Sequence, residues 1–77
     1  MKSKRTSNVL GPKIRRLRER AEPKITQEDM VGRLAKYGIQ LNQPQIAKIE
    51  SGNRPLRDYE LIAIAKALRV PIQDLFH

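Results

Sequence analysis

The chain has 77 residues, with 16 Lys and Arg against 8 Asp and Glu, one His and no Cys or Trp, for a formal net charge of +8. A chain this short buries roughly 60% of its unfolded surface, enough for one modest apolar core and too little for a deep substrate cavity between two domains. Without cysteine there is neither a disulfide framework nor a thiolate zinc site. No apolar run approaches the ~18 residues of a membrane span, and the basic start leads into Thr6, Ser7 and Asn8 rather than a secretory segment, so a cytoplasmic location is expected.

Residues 1–9 are polar and basic without periodicity and read as a flexible arm ahead of a single domain, 10–77. Pro12, just after Gly11, suits the first turn of a helix. There Ile14, Leu17 and Ala21 form one stripe, and the helix stops before Pro23. Thr26 then caps a second helix with Asp29 in the capping-box position, and Ile25 can staple onto Met30. Met30, Val31 and Leu34 make its buried face, which runs to about Tyr37 and ends at Gly38. Gly32 within it costs ~1 kcal/mol relative to Ala unless another helix packs closely there.

Asn42, with Gln45 three residues on, caps a short third helix, about 43–51, and Pro44 fits its first turn. Ile46 and Ile49 face inward, and Ser51, Gly52 and Asn53 end it with residue types that tolerate positive φ. A polar loop, 54–57, leads to a fourth helix opening near Asp58, whose stripe is Leu61, Ile64, Ala65 and Leu68, and which Pro71 closes. The last short segment, 72–76, presents Ile72, Leu75 and Phe76 either to the core or to a partner subunit. The pattern is all-α, with five helices in a compact bundle.

Charge is unevenly spread: residues 1–20 carry a net +7 and the remainder only +1. Such clustering suits a polyanion, either nucleic acid or an anionic membrane surface, because clustered cations attract phosphates; it also suits a solvated face. Catalysis has little support, since His77 stands alone, and the ligands of a metal or cofactor site are missing. Tyr37, Tyr59 and Phe76 are too scattered to stack single-stranded bases.

Two short helices joined by a glycine-bearing connection and buttressed on both sides describe a helix-turn-helix. The run Thr26-Gln27-Glu28-Asp29-Met30, then Gln43 to Ile46, Ile49-Glu50-Ser51-Gly52, Asp58-Tyr59-Glu60-Leu61 and Ala65-Lys66-Ala67-Leu68 resembles the lambda-repressor-like, Xre-type DNA-binding domains over about residues 10–76. There are departures. The segment between Gln27 and Ile46 is about five residues longer than in the simplest members, implying a longer second helix or a wider turn. Val31 and Arg69 stand where Ala and Gly are usual, and the loop Glu22-Pro23-Lys24 is longer than common.

The resemblance implies a transcriptional regulator, a repressor by expectation, that inserts the N-terminal end of helix 3 into the major groove of duplex DNA. With Ile46 and Ile49 inward, Gln43, Pro44, Gln45 and Lys48 are the candidates for base edges. Glutamine can pair with adenine, lysine with guanine, and the proline ring can touch a thymine methyl. Each also has a plain reading, as surface, cap or helix starter. Gln27 in the first turn of helix 2, the loop residues Asn53, Arg54 and Arg57, and Lys13 are candidate phosphate contacts, while Lys2, Lys4 and Arg5 belong to the arm. The family also implies an ion pair between Arg18 and Glu50, which makes Arg18 structural. One module buries too little surface for strong specificity, so a homodimer on a pseudo-palindromic operator, joined through the last helix, is expected. The alternatives are an antitoxin that uses the same fold to mask a toxin protein, and a helical protein-interaction module that binds no DNA.

Overall fold

The computed structural model describes residues 8–76, so the expectations for Lys2, Lys4, Arg5 and His77 lie outside the described residues. The elements are α1 (Gly11–Arg20), α2 (Gln27–Ala35), α3 (Gln43–Glu50), α4 (Asp58–Leu68) and a 3-10 helix (Ile72–Phe76). Among the described residues there is no strand. The all-α, five-element order is the expected one, but the last element is a 3-10 turn rather than an α-helix. The amide of Asp74 reaches back to the carbonyl of Pro71 at 2.9 Å, and so short a segment cannot sustain an α-helical ladder.

Two starts follow the capping-box chemistry. Thr26 Oγ1 accepts from the Asp29 amide at 3.0 Å while Asp29 Oδ2 accepts from the Thr26 amide at 2.9 Å. Asn42 and Gln45 exchange the same pair of bonds, each at 2.9 Å, at the head of α3. The start of α1 is held differently. Asn8 Oδ1 accepts from the amides of Leu10 and Gly11 at 2.9 and 2.7 Å, and its Nδ2 donates to the carbonyls of Ile49 and Arg54 at 3.1 and 2.7 Å. One side chain thus ties the head of α1 to the tail of α3. Gly11 lets the two approach: a β-carbon there would stand 2.2 Å from the Ile49 carbonyl oxygen.

Three helices end in the same motif. After α2, the amide of Ile39 bonds the carbonyl of Leu34 and that of Gly38 bonds Ala35, both at 3.0 Å, with Gly38 at φ +82. After α3, Asn53 bonds Lys48 at 2.8 Å and Gly52 bonds Ile49 at 3.0 Å, with Gly52 at φ +85. After α4, Val70 bonds Ala65 and Arg69 bonds Lys66, both at 3.1 Å. Here the left-handed residue is Arg69, at φ +62, where the first two helices use glycine. Regular α2 stops at Ala35, two residues short of the expected Tyr37, because this closing motif tightens its last turn.

The core gathers Ile14 of α1, Ile25, Met30 and Leu34 around α2, Leu41, Ile46 and Ile49 around α3, Ala63, Ile64, Ala65, Ala67 and Leu68 of α4, and Leu75. Val31, expected on the buried face of α2, is only partly covered. The additional length between Gln27 and Ile46 lies in a wide α2–α3 connection, not in a longer helix. Leu41 is buried and Ile39 partly so, and these apolar anchors seat the connection on the core. Helix α3 lies against α1 and α2, while α4 packs on α2 and on the 3-10 helix.

Candidate nucleic-acid interface

Ile46 and Ile49 are buried, and the opposite side of α3 is open: Gln43, Pro44, Ala47 and Lys48 are exposed and Gln45 is half-buried. Three of the four expected base-reading residues, Gln43, Pro44 and Lys48, are therefore exposed on one surface. Gln45 is partly committed, since its Oε1 closes the cap on Asn42. Ala47, one turn after Gln43, completes this surface and was not singled out from the sequence; its i+4 spacing was the available signal.

Behind the surface runs a hydrogen-bonded chain. Arg18 and Glu50 are both buried, and the arginine grips the carboxylate with two bonds, Nε to Oε2 at 2.6 Å and Nη2 to Oε1 at 2.9 Å. Its third nitrogen, Nη1, donates to the carbonyl of Ile25 at 2.9 Å, and so anchors the loop that leads into α2. The hydrogen bond to Glu50 holds the Arg18 guanidinium above its ordinary pKa despite burial. Glu50 Oε1 accepts a further bond from Gln27 Nε2 at 3.1 Å, and Gln27 Oε1 accepts from Gln43 Nε2 at 3.1 Å. The chain fixes polarity at every link. A carboxylate only accepts, so Gln27 turns its NH₂ inward and its oxygen outward. Gln43 then spends one N–H on Gln27 and keeps its oxygen and second N–H for whatever approaches α3.

The residues expected at the phosphates are not equivalent. Gln27 is half-buried in the chain just described. Arg57 is exposed, and so is Asn53, whose Nδ2 donates to Ser51 Oγ at 3.0 Å. Lys13 is half-buried on the first turn of α1. Arg54 is engaged: its Nη1 and Nη2 donate to the two oxygens of Glu60, each at 3.1 Å. Burial would raise the Glu60 carboxyl, but hydrogen bonds from Arg54 and from the Arg57 amide outweigh it and hold the group below the usual glutamate range. Asn8 and Glu60 are thus the framework residues missed from the sequence: the carbonyls that Asn8 bonds lie more than forty residues away, whereas Glu60 bonds Arg54 and the Arg57 amide, six and three residues back, a capping-box spacing that was the available signal.

Apolar groups are exposed elsewhere. Tyr59 and Ile62 lie on α4, and Ile72 and Phe76 on the 3-10 helix that packs against it; Ile62 is 47% and Phe76 58% exposed. Among the described residues no helix is long and apolar enough to cross a membrane. The model of the protein family described as Helix-turn-helix matches residues 14–75. No curated protein and no solved structure matches the chain significantly.

Proposed function

The chain belongs to the lambda-repressor-like, Xre-type helix-turn-helix family of DNA-binding regulators, and from that membership we propose that it is a sequence-specific repressor that reads duplex DNA with α3. The observation that carries this reading is the chain from Arg18 through Glu50 and Gln27 to Gln43. It leaves Gln43 with one acceptor and one donor side by side, the complement of adenine N6 and N7 in the major groove. Lys48 donates to a guanine on the same surface, Pro44 and Ala47 meet thymine methyl groups, and Gln45 plays a smaller part because its oxygen is in the cap. Arg57, Asn53 and the half-buried Lys13 grip phosphates, as does the head of α2 at Gln27; Arg54 contributes through whatever N–H groups Glu60 leaves free.

The regulator acts as a homodimer on a pseudo-palindrome, with half-sites about 34 Å apart. The exposed Tyr59, Ile62, Ile72 and Phe76 supply the apolar surface for pairing. Selection of bound duplexes from a random pool tests the whole reading. A two-fold symmetric site should emerge, and Gln43→Ala should lose the adenine preference at one position per half-site, by about 1–3 kcal/mol. Lys48→Ala should relax a different position, whereas Arg57→Ala should weaken all sequences alike and lower the salt dependence. A pool with no enriched motif, or a motif that Gln43→Ala leaves unchanged, refutes the assignment.

A further inference from the structure

A second basic site lies at the far end of α2. The last turns of α2 and α4 converge on a cavity of about 150 Å³ lined by Arg33, Lys36, Tyr37, Lys66, Ala67 and Arg69. Four cations and a phenol line it, and no carboxylate does. None of the four cations has a carboxylate oxygen within ion-pair distance among the described residues. Arg33 lies about 9 Å along α2 from Gln27, at 1.5 Å per residue, and Lys36 and Tyr37 lie beyond the helix end, so the site is separate from the surface that presents Gln43 and Lys48.

Helix C-termini attract cations, but that does not account for four of them. Two helix ends supply about half a negative charge each, which leaves about three positive charges unbalanced around the cavity. Two of the groups are already placed. Arg33 Nη1 donates to the Ala67 carbonyl at 2.7 Å, which aims its guanidinium between the helices. Lys66 Nζ sits 5.9 Å from the centre of the Tyr37 ring. Arg69 is the third observation. The ends of α2 and α3 use glycine at the left-handed position, and α4 instead uses an arginine at φ +62, a residue that lines this cavity. A strained backbone that keeps a charged side chain at a concave site points to a task for the side chain.

We propose that this cavity binds a small, multiply charged phosphate-type anion, held by the guanidinium groups of Arg33 and Arg69 and the ammonium groups of Lys36 and Lys66. Arginine offers paired N–H groups matched to phosphate oxygens, and the lysines add point charges. A volume of about 150 Å³ is enough to seat one or two phosphoryl groups. The site is independent of the DNA-reading surface and fills without a duplex.

The test is a titration of the free, isotope-labelled chain with inorganic pyrophosphate at constant ionic strength, followed by backbone amide chemical shifts. Saturable shifts confined to Arg33, Lys36, Tyr37, Lys66, Ala67 and Arg69, with a Kd below about 1 mM, are expected; that dissociation constant is the modest end of specific affinity. Lys36→Gln with Lys66→Gln, both surface changes, should weaken the anion at least about tenfold, since two charges a few ångströms away are removed. Arg69→Gly gives a check that a folding defect cannot imitate: it should bind the anion more weakly while melting at a higher temperature. Shifts spread over every basic surface without saturation, unchanged affinity in the double variant, or pocket shifts that appear with duplex DNA and not with pyrophosphate would each overturn the proposal.

Discussion

Gly11 and Gly32 both lie inside helices, and propensity alone treats them alike: Ala at either position should stabilise by about 1 kcal/mol. The structure separates them. At Gly32 a β-carbon meets nothing within 4 Å, so the full gain is expected. At Gly11 it would stand 2.2 Å from the Ile49 carbonyl oxygen and 2.6 Å from that of Glu50. Both are main-chain atoms, so no rotamer change relieves the clash, and α1 must move off α3 by about 1 Å to restore contact distance. Such overpacking costs about 1–3 kcal/mol. The same displacement stretches the bonds from Asn8 to Ile49 and Gly52, each contributing about 1 kcal/mol. After the offset from glycine's greater freedom in the unfolded chain, Gly11→Ala should lose about 2–4 kcal/mol. Total stability for a chain of this size is about 4–12 kcal/mol. Each kcal/mol moves the melting temperature by about 4–8 °C, so Gly11→Ala should melt about 8–32 °C lower and Gly32→Ala about 4–8 °C higher. Urea and thermal unfolding followed by far-ultraviolet circular dichroism read both. A Gly11→Ala variant as stable as the parent would show that the α1–α3 seam is not the tight contact described.

Arg69→Gly replaces a left-handed arginine by the residue that adopts this conformation freely, and a gain of about 1 kcal/mol, or about 4–8 °C in melting temperature, is expected in the absence of added anion. Glu60, held below the usual glutamate pKa in the fold, contributes stability that is present above its unfolded value of about 4.3 and is lost as pH falls through the folded value. Urea midpoints measured from pH 6 down to pH 3 should therefore decline, and Glu60→Gln should flatten the part of that decline nearest its own titration while lowering the midpoint at pH 6. An unchanged pH profile in Glu60→Gln would remove Glu60 from the account of acid sensitivity.

Legibility in the sequence followed the range of the interaction. The heads of α2 and α3 were readable because both partners of each capping box lie within three residues, and the closures at Gly38 and Gly52 were readable because glycine is the residue that φ near +80 demands. The third closure was not, because arginine rarely adopts the left-handed conformation and nothing in its residue type signals the position, although the closing bonds to Ala65 and Lys66 are local. Asn8 looked like part of a polar arm because the carbonyls it bonds, Ile49 and Arg54, are more than forty residues away. The Arg18–Glu50 pair came from family resemblance rather than spacing, since its members are separated by 32 residues. Gln27 and Gln43 were each singled out, yet the bond between them rests on how the wide 36–42 connection folds, and no local pattern encodes that.

The bond between those two glutamines makes the buried ion pair a matter of recognition as well as stability, and one variant separates the two. Removing Arg18 alone strands the Glu50 carboxylate in the core and should cost about 3–5 kcal/mol, a loss that would confound any binding measurement. Replacing both, Arg18→Met with Glu50→Met, leaves no orphan charge. Such exchanges are often neutral or better, less about 1 kcal/mol here for the Ile25 carbonyl that loses its donor. The double variant should thus remain folded, with Gln27 no longer facing a group that only accepts. Its amide is then free to turn over, Gln43 loses its fixed polarity, and adenine at the contacted position should lose a large part of its advantage while phosphate-driven affinity for random duplex stays within about twofold, since the surface cations are untouched. Measuring the operator and a single-base variant side by side gives the ratio directly. If the double variant folds and still prefers adenine as strongly as the parent, the Gln43 amide is oriented by the DNA rather than by the chain behind it.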